Sequence, residues 1–163
     1  MRRPKLLLTW VLLAAVVAGW AWYSEHRGAE VTGTARVIDG DSLYVSGVEI
    51  RLYGIDAPEL YQTCIKAGRP WNCGADAAAA LRTATSGRQV TCRARDRDRY
   101  GRTVAVCQAG GLDLGAAMIK GGFAVSYGAY RADEQEAREA RRGIWSSTFD
   151  TPSTWRARHP RHQ

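Results

Sequence analysis

Acidic side chains and one arginine cluster around two short apolar runs in the first half of the chain. Asp41 lies in an Ile-Asp-Gly-Asp-Ser sequence, Asp56 begins an Asp-Ala-Pro-Glu sequence that ends at Glu59, and Arg51 lies between them. Two carboxylates brought to one point repel each other unless a cation or a substrate offsets their charge. Hard oxygen ligands of this kind suit calcium or magnesium rather than zinc. The pattern therefore predicts a metal site.

A β-hairpin must bring these side chains together. Apolar residues alternate with other residues at a period of two at Leu43, Val45, Val48, Ile50 and Leu52. This alternation is typical of strands with one buried face, and Ser46-Gly47 predicts a tight turn between the two strands. Folding at that turn moves Asp41, on the first strand, towards Asp56, just past the second.

The remaining pattern predicts an α+β fold. Helices are predicted at residues 75–86, 112–120 and 132–142, with further strands up to Ile38 and at residues 89–94 and 103–108. Five short strands interleaved with about three helices, three of the strands preceding the first helix, favour a small closed barrel. The OB-fold, a five-stranded β-barrel often used to bind oligonucleotides, is the candidate.

Residues 1–27 predict a signal peptide or an N-terminal membrane anchor. Residues 1–5 are basic, and residues 6–23 contain no charged side chain. A run of this length is short for a bilayer span and long for a signal-peptide core, so cleavage and anchoring both stay open. In either case the domain that follows is predicted to be exported: periplasmic, secreted, or anchored with the membrane as a partner and the domain outside the cytoplasm.

Residues 28–149 are long enough for one domain with a modest core. Residues 150–163 contain proline, arginine and histidine without an apolar pattern, and we expect a basic, disordered tail there. The 163 residues carry a net charge of +7, of which residues 1–27 contribute +3. The remaining positive charge is a mild bias towards polyanionic partners.

Four cysteines agree with export. Cys64 and Cys73 bracket a loop that contains glycine and proline, whereas Cys92 and Cys107 lie in two β-like runs. An even number in an exported chain favours two disulfides, Cys64–Cys73 and Cys92–Cys107, among three possible pairings. A zinc site is the alternative, but the chain has no Cys-x-x-Cys and its three histidines are remote from the cysteines.

The ordered set of sequences from residue 30 to residue 145 resembles the staphylococcal nuclease (thermonuclease) family. The set comprises Ile-Asp-Gly-Asp-Ser, Arg-Leu-Tyr-Gly-Ile-Asp-Ala-Pro-Glu, Asp-Arg-Tyr-Gly-Arg and Gly-Ile-Trp. The resemblance implies an OB-fold barrel with three helices. It also implies hydrolysis of phosphodiester bonds of DNA and RNA, with single strands preferred, one Ca²⁺ ion and products that end in a 3′-phosphate. We expect a monomer.

The same resemblance assigns the carboxylates. Asp41 and Asp56 match the calcium-binding carboxylates, and Ala57 matches the position whose backbone carbonyl also binds the metal. Glu59 matches the carboxylate that acts as general base or orients the attacking water. The alternative for Asp41 and Asp56 is a structural role in turns, and Asp39 is expected only to cap the turn before Asp41.

The basic and aromatic assignments follow the same motifs. Arg51 and Arg102 match two catalytic arginines, whose planar forks suit phosphate oxygens. Tyr100 matches a nucleotide-contacting tyrosine, and Arg99 lies where a basic residue is found near phosphate. Tyr130 falls near a position where the family has a tyrosine beside the base, with ordinary surface packing as the alternative. A purely structural ion pair is the alternative for Arg51. A solvated side chain is the alternative for Arg102.

Two rival functions complete the predictions. A non-catalytic module that binds nucleic acid or protein would show erosion of the key side chains, yet all five are present: Asp41, Arg51, Asp56, Glu59 and Arg102. An envelope structural protein anchored by its basic tail would not depend on them. The loop at residues 60–74 carries Cys64, Cys73 and a Gly-Arg-Pro-Trp-Asn-Cys-Gly segment that the best-known family member lacks, so it predicts altered access to the site or a disulfide-stapled lid.

Overall fold

The computed structural model describes residues 13–19 and 28–160, so most of the predicted signal or anchor segment lies outside the described residues. Within the described part, none of the helices has both the length and the apolar character that crossing a membrane requires. The helices are α1 (residues 13–19), α2 (Cys73–Thr85), α3 (Leu114–Lys120), α4 (Arg131–Glu139) and α5 (Pro152–Arg158). The short 3₁₀ turn Gly143–Ser146 lies between α4 and α5.

The strands of the described residues form one large sheet and two small ones. In chain order they are β1 (Glu30–Gly33), β2 (Ala35–Val37), β3 (Ser42–Val45), β4 (Val48–Leu52), β5 (Ile55–Asp56), β6 (Cys64–Lys66), β7 (Arg69–Trp71), β8 (Val90–Arg97), β9 (Thr103–Ala109), β10 (Leu112–Asp113) and β11 (Val125–Ser126). The large sheet has the order β1-β8-β9-β4-β3-β2, and β10 pairs with β9. β4 and β9 run parallel. The small sheets are β5–β11 and β6–β7.

The two edge strands of the large sheet, β1 and β2, are consecutive in the chain and separated only by Thr34. The sheet therefore curls until its edges are covalent neighbours. No hydrogen-bonded strand pair closes it within the described residues. The predicted α+β class is confirmed, whereas the closed five-stranded barrel stays a prediction.

The β3–β4 hairpin forms as its sequence predicts. Ser46 and Gly47 both have positive φ, at 48° and 81°, which is the conformation of a two-residue hairpin turn. The register pairs Leu43 with Ile50, so the alternating apolar side chains share one face. Except for the exposed Val48, these side chains are buried together with apolar residues of α2 and α3 in the main core. The hairpin is thus a rigid base for the residues at its ends.

Both predicted disulfides are confirmed. Cys64 and Cys73 are bonded with an S–S distance of 1.95 Å, and Cys92 and Cys107 with 2.04 Å. The second bond joins residues that face each other across β8 and β9. The segment between Cys64 and Cys73, predicted to be irregular, instead contains the small hairpin β6–β7.

The prediction of a disordered tail is wrong for residues 152–158, which form α5. The Thr151 hydroxyl accepts a hydrogen bond from the Thr154 N–H at 3.3 Å, and Pro152 occupies the first turn. Threonine at the N-cap and proline at the first helical position both favour a helix start. Pro152 is buried, and the ring of Trp155 stacks on that of His159 at 4.3 Å.

Candidate functional site

Asp41 is positioned at the start of β3 by its neighbours. The Asp39 carboxylate accepts a hydrogen bond from the Asp41 N–H at 3.0 Å, as expected for a turn cap. A Cβ added to Gly40 would lie 2.6 Å from the Cβ of Ala57 and 2.8 Å from the Cβ of Ala77. The glycine therefore lets the Asp41 turn approach both α2 and the residue that follows Asp56.

Arg51 bridges the two buried aspartates. Its Nη1 donates to Asp41 Oδ1 at 3.1 Å, while its Nη2 lies 3.0 Å from Asp41 Oδ2 and 2.6 Å from Asp56 Oδ1. Asp41 and Asp56 are only 3% and 4% exposed. Because one guanidinium nitrogen contacts both carboxylates, the two acidic side chains converge on one point. The sequence-predicted convergence is therefore present.

Asp41 is saturated with donors. Besides Arg51, its carboxylate accepts hydrogen bonds from the Ser42 hydroxyl at 2.9 Å and from the Ala57 N–H at 3.0 Å. Burial raises the pKa of Asp41 to about 7, against the opposing effect of the Arg51 charge. Ionised Asp41 therefore depends on nearby positive charge. The Ala57 N–H stabilises the Asp41 carboxylate by its hydrogen bond. The metal-binding role of the Ala57 carbonyl stays a prediction.

Arg156, on α5, contacts this cluster and was not predicted from the sequence. Its Nη1 donates to Asp56 Oδ1 at 3.0 Å and to Glu59 Oε1 at 2.8 Å, and its Nη2 donates to Asp56 Oδ2 at 3.0 Å. The hydrogen bond to Asp56 is the main cause of a raised pKa of Arg156. A second guanidinium therefore lies against one predicted metal ligand and the predicted general base.

The segment after Asp56 is fixed by a buried glutamine, which also escaped the sequence analysis. The Gln62 Oε1 accepts from the Glu59 N–H at 3.2 Å, and its Nε2 donates to the Asp150 carbonyl at 2.7 Å. A Cβ on Gly74 would lie 1.7 Å from the Glu59 carbonyl oxygen. Gln62 thus joins the Glu59 loop to the chain that leads into α5, and Gly74 lets α2 pack against that loop.

Arg102 lies at the opposite side of β4 from Asp41, next to β9. Its Nε donates to Asp98 Oδ2 at 2.7 Å. The parallel register pairs Arg51 with Val104, and because alternate residues share a face, Arg102 projects from the same face as Arg51. The structure thus places both arginines on one face, with Arg102 held by Asp98 rather than by the aspartate cluster.

The predicted substrate-contacting residues divide into two groups. Tyr100 is 70% exposed, with the Arg99 guanidinium 4.9 Å and the Arg102 guanidinium 5.6 Å from its ring centroid. Tyr130 is half-buried, and its hydroxyl donates to Asp113 at 3.1 Å. Burial and the Asp113 charge raise the pKa of Tyr130 to about 12. Tyr100 is available for stacking, whereas the Tyr130 hydroxyl is occupied within the fold.

The donor chemistry of the cluster fits a hard divalent cation. Asp41 and Asp56 supply carboxylate oxygens that meet at one guanidinium nitrogen, and such ligands suit Ca²⁺. Among the described residues, no group of three or more histidine, cysteine or acidic side chains is arranged to hold a metal. Any ion bound here would therefore take further ligands from the backbone or water, as Ca²⁺ and Mg²⁺ commonly do.

Comparisons with known proteins identify a family and several similar chains. The staphylococcal nuclease homologue family matches residues 49–147. Succinoglycan biosynthesis protein ExoI of Rhizobium meliloti (strain 1021) is 36% identical over 142 residues, covering 82% of this chain and 74% of that protein. An uncharacterized endonuclease of Escherichia coli O157:H7 is 34% identical over 143 residues, covering 80% of this chain and 87% of that protein.

Micrococcal nuclease of Shigella flexneri is 32% identical over 168 residues, covering 90% of this chain and 87% of that protein. The family match spans more than half of the chain and includes Arg51, Asp56, Glu59 and Arg102. The chain belongs to the staphylococcal nuclease homologue family.

Proposed function

We propose that this protein is an exported, calcium-dependent endonuclease that hydrolyses phosphodiester bonds of DNA and RNA. The observation that carries the proposal is the convergence of Asp41 and Asp56 on Arg51, with Glu59 joined to Asp56 through Arg156. Family membership and two relatives named as an endonuclease and a micrococcal nuclease support it. Single strands are the expected substrates because an exposed tyrosine such as Tyr100 can stack on an unpaired base.

Asp41, Asp56 and the Ala57 carbonyl would hold the ion. Calcium would supply positive charge to a non-bridging phosphate oxygen. Glu59 would accept a proton from the attacking water or orient that water. The water oxygen bonds to phosphorus while the bond to the 5′ oxygen breaks. The 5′ oxygen takes up a proton from solvent and leaves as a hydroxyl group, and the other fragment keeps a 3′-phosphate.

The two catalytic arginines would neutralise the charge that builds on the phosphate oxygens. Arg51 is already oriented by Asp41 and Asp56, whereas Arg102 must exchange Asp98 for the phosphate. A planar guanidinium can donate two hydrogen bonds to a phosphate, which a lysine cannot do with the same geometry. This arrangement places positive charge next to the phosphate oxygens on which negative charge develops in the transition state.

Export is supported by the two disulfides, which form and persist in oxidising compartments. The domain would act in the periplasm, outside the cell or at the outer face of a membrane. The uncharged run at residues 6–23 would serve as the signal or anchor.

The test is hydrolysis of a single-stranded oligodeoxynucleotide by the full chain, with Ca²⁺ and with chelator, followed by analysis of the product ends. Glu59→Gln and Arg102→Ala should each abolish most of the activity. Arg93→Ala is the control, because Arg93 is exposed and pairs with Glu30 on β1. Calcium-independent cleavage, or equal rates in all variants, would contradict the proposal. A folded, calcium-binding protein without cleavage would favour a nucleic-acid-binding module.

A further inference from the structure

The α5 helix places a positive charge directly on the proposed metal ligands. Arg156 contacts both oxygens of Asp56 and also Glu59, at distances of 2.8–3.0 Å. A bidentate guanidinium–carboxylate contact is among the stronger hydrogen-bonded pairs in proteins. Arg156 lies beyond the residues matched by the family comparison, and the proposed mechanism does not use it.

The acceptor capacity of the two aspartates is nearly filled. A carboxylate offers about four lone-pair positions. Asp56 accepts one hydrogen bond from Arg51 and two from Arg156, and Asp41 accepts four contacts from its neighbours. Asp56 Oδ1 accepts from both Arg51 and Arg156, so a divalent ion at that oxygen would need a position that a guanidinium group takes in this structure. Of the two arginines on Asp56, Arg51 lies on the central strand β4, whereas Arg156 lies on the peripheral helix α5.

The attachment of α5 suggests that it can leave. The helix has seven residues, of which only Pro152 is buried, and the Arg156 side chain is 41% exposed. A helix this short has little stability of its own in water. Segments with few buried apolar contacts open at low free-energy cost. Undocking α5 would leave the β3–β4 hairpin and the main core unchanged.

We propose that Arg156 is an internal cation that competes with the divalent metal for Asp56 and Glu59, so that metal binding displaces α5 from the site. Arg156 thereby sets the metal affinity of the enzyme. The inference rests on the proposed function, since it requires that Asp56 binds the metal. By linkage, the factor by which docked α5 weakens metal binding equals the factor by which bound metal weakens α5 docking.

The first experiment is calcium titration calorimetry of the full chain and three variants. Arg156→Ala should bind Ca²⁺ about tenfold to a hundredfold more tightly, the range expected for losing charge-assisted hydrogen bonds to the same carboxylates. The Ca²⁺ affinity of Arg156→Lys should lie between those of the wild type and Arg156→Ala, because lysine keeps the charge but lacks the planar guanidinium fork. Arg158→Ala is the matched control on the same helix: it removes one positive charge but pairs with Asp150, outside the aspartate cluster.

The second measurement is hydrogen–deuterium exchange of the backbone amides of residues 153–159, with and without Ca²⁺. Calcium should accelerate exchange there in the wild-type chain and leave exchange in the β3–β4 hairpin unchanged. An Asp41→Asn variant, which removes a proposed metal ligand, should lose the calcium response. Faster exchange confined to α5 would support displacement. Unchanged or slower exchange of α5 with bound calcium would overturn it.

The outcomes separate this inference from the proposed function. Equal or weaker calcium binding by Arg156→Ala, with calcium-dependent cleavage intact in the wild type, overturns the competition and leaves the nuclease proposal standing. Absence of calcium binding in the wild type and in Arg156→Ala overturns both. Tighter binding by Arg156→Ala that Asp56→Asn abolishes supports both, because the metal and Arg156 then share one carboxylate.

Discussion

At the scale of single residues, the two predicted catalytic arginines have different structural surroundings. Arg51 compensates two buried carboxylates, and its side chain is 20% exposed. Asp98, the partner of Arg102, also accepts hydrogen bonds from the backbone N–H groups of Tyr100 and Arg102. Asp98 therefore keeps partners when the Arg102 side chain is removed, whereas Asp41 and Asp56 lose their shared donor when Arg51 is removed.

Arg51→Ala and Arg102→Ala should therefore differ in stability while both lose activity. We expect each to lower kcat/KM by about 10²–10³ or more, the range for electrostatic stabilisers of a transition state. Arg51→Ala should also lower the free energy of unfolding by about 3–5 kcal/mol, as breaking a buried ion pair does. Arg102→Ala should cost about 1 kcal/mol or less. Urea denaturation with chelator present measures both, and equal losses of stability would contradict the distinction.

Gly40 gives a second prediction for a single position. Gly40→Ala should destabilise the fold by about 1–3 kcal/mol, the usual cost of overpacking, because the new methyl group would lie 2.6 Å from Ala57 and 2.8 Å from Ala77. It should also lower activity by shifting Asp41. The double variant Gly40→Ala/Ala77→Gly should be more stable than the summed effects of the two single substitutions predict, because removing the Ala77 methyl group relieves one of the two close contacts. That sum already contains the cost of a glycine within α2. Additive losses in thermal unfolding would show that the steric contact is absent.

The sequence was sufficient to predict which side chains meet at the hairpin, but not which cation lies on them. Asp41, Arg51 and Asp56 are linked by one turn, so short-range periodicity decides their geometry. Arg156 is 100 residues from Asp56, and no local pattern relates the two. Only tertiary packing brings them together. The distance along the chain also explains why Gln62, whose role depends on the Asp150 carbonyl, was missed.

At the scale of elements, the Cys64–Cys73 bond connects the Glu59 loop to the start of α2. Cys73 is the first residue of α2, and Cys64 is the first residue of β6. Both cysteines are buried against Ile144, with Trp71, Trp145 and Phe149 around them. This small cluster lies next to the segment that carries Glu59, so the bond should affect both stability and catalysis.

Removal of the two disulfides should accordingly have different consequences. Cys64→Ala/Cys73→Ala should lower the free energy of unfolding by about 2–3 kcal/mol, as expected for a closed loop of about ten residues, and should reduce kcat through movement of Glu59. The Cys92–Cys107 bond joins β8 to β9 away from Glu59 and at the far part of the ladder from the turn that carries Arg102. The Cys92→Ala/Cys107→Ala variant should therefore lower stability with kcat nearly unchanged. Denaturation and steady-state rates of both double variants test this. A larger loss of kcat in the Cys92→Ala/Cys107→Ala variant would overturn the claim that the Cys64–Cys73 bond positions the Glu59 loop.

Element prediction succeeded where the local signals were strong. The Ser46-Gly47 turn and a helix at residues 112–120 were predicted from the sequence, and the structure contains the turn and a helix at Leu114–Lys120. The α5 helix was missed because its seven residues, Pro-Ser-Thr-Trp-Arg-Ala-Arg, show no apolar period. Thr151-Pro152 was the available signal, since this pair favours the start of a helix.

At the scale of the whole molecule, strand order depends on contacts that the sequence does not encode locally. Alternation identified β3, β4, β8 and β9, but the parallel pairing of β4 with β9 joins residues about 50 positions apart. The same long-range pairing decides where the exposed arginines of β8 lie. Arg93, Arg95 and Arg97 follow one strand, and Arg99 continues them into the turn that carries Tyr100. Exposed arginines thus extend from β8 to the proposed substrate site, interspersed with Asp96 and Asp98 and with Arg93 paired to Glu30.

This distribution predicts how salt affects binding of single-stranded DNA. On single strands each phosphate contact contributes about −0.7 to the slope of log K against log salt concentration. Arg99→Ala should therefore make the slope shallower by about 0.7, while Arg93→Ala, whose side chain pairs with Glu30 farther from the turn, should leave it unchanged. Fluorescence anisotropy in a Glu59→Gln background measures binding without hydrolysis. Equal slopes for Arg99→Ala and the parent would mean that the bound strand does not reach the β8–β9 turn, and Tyr100 would then lose its proposed role together with Arg99.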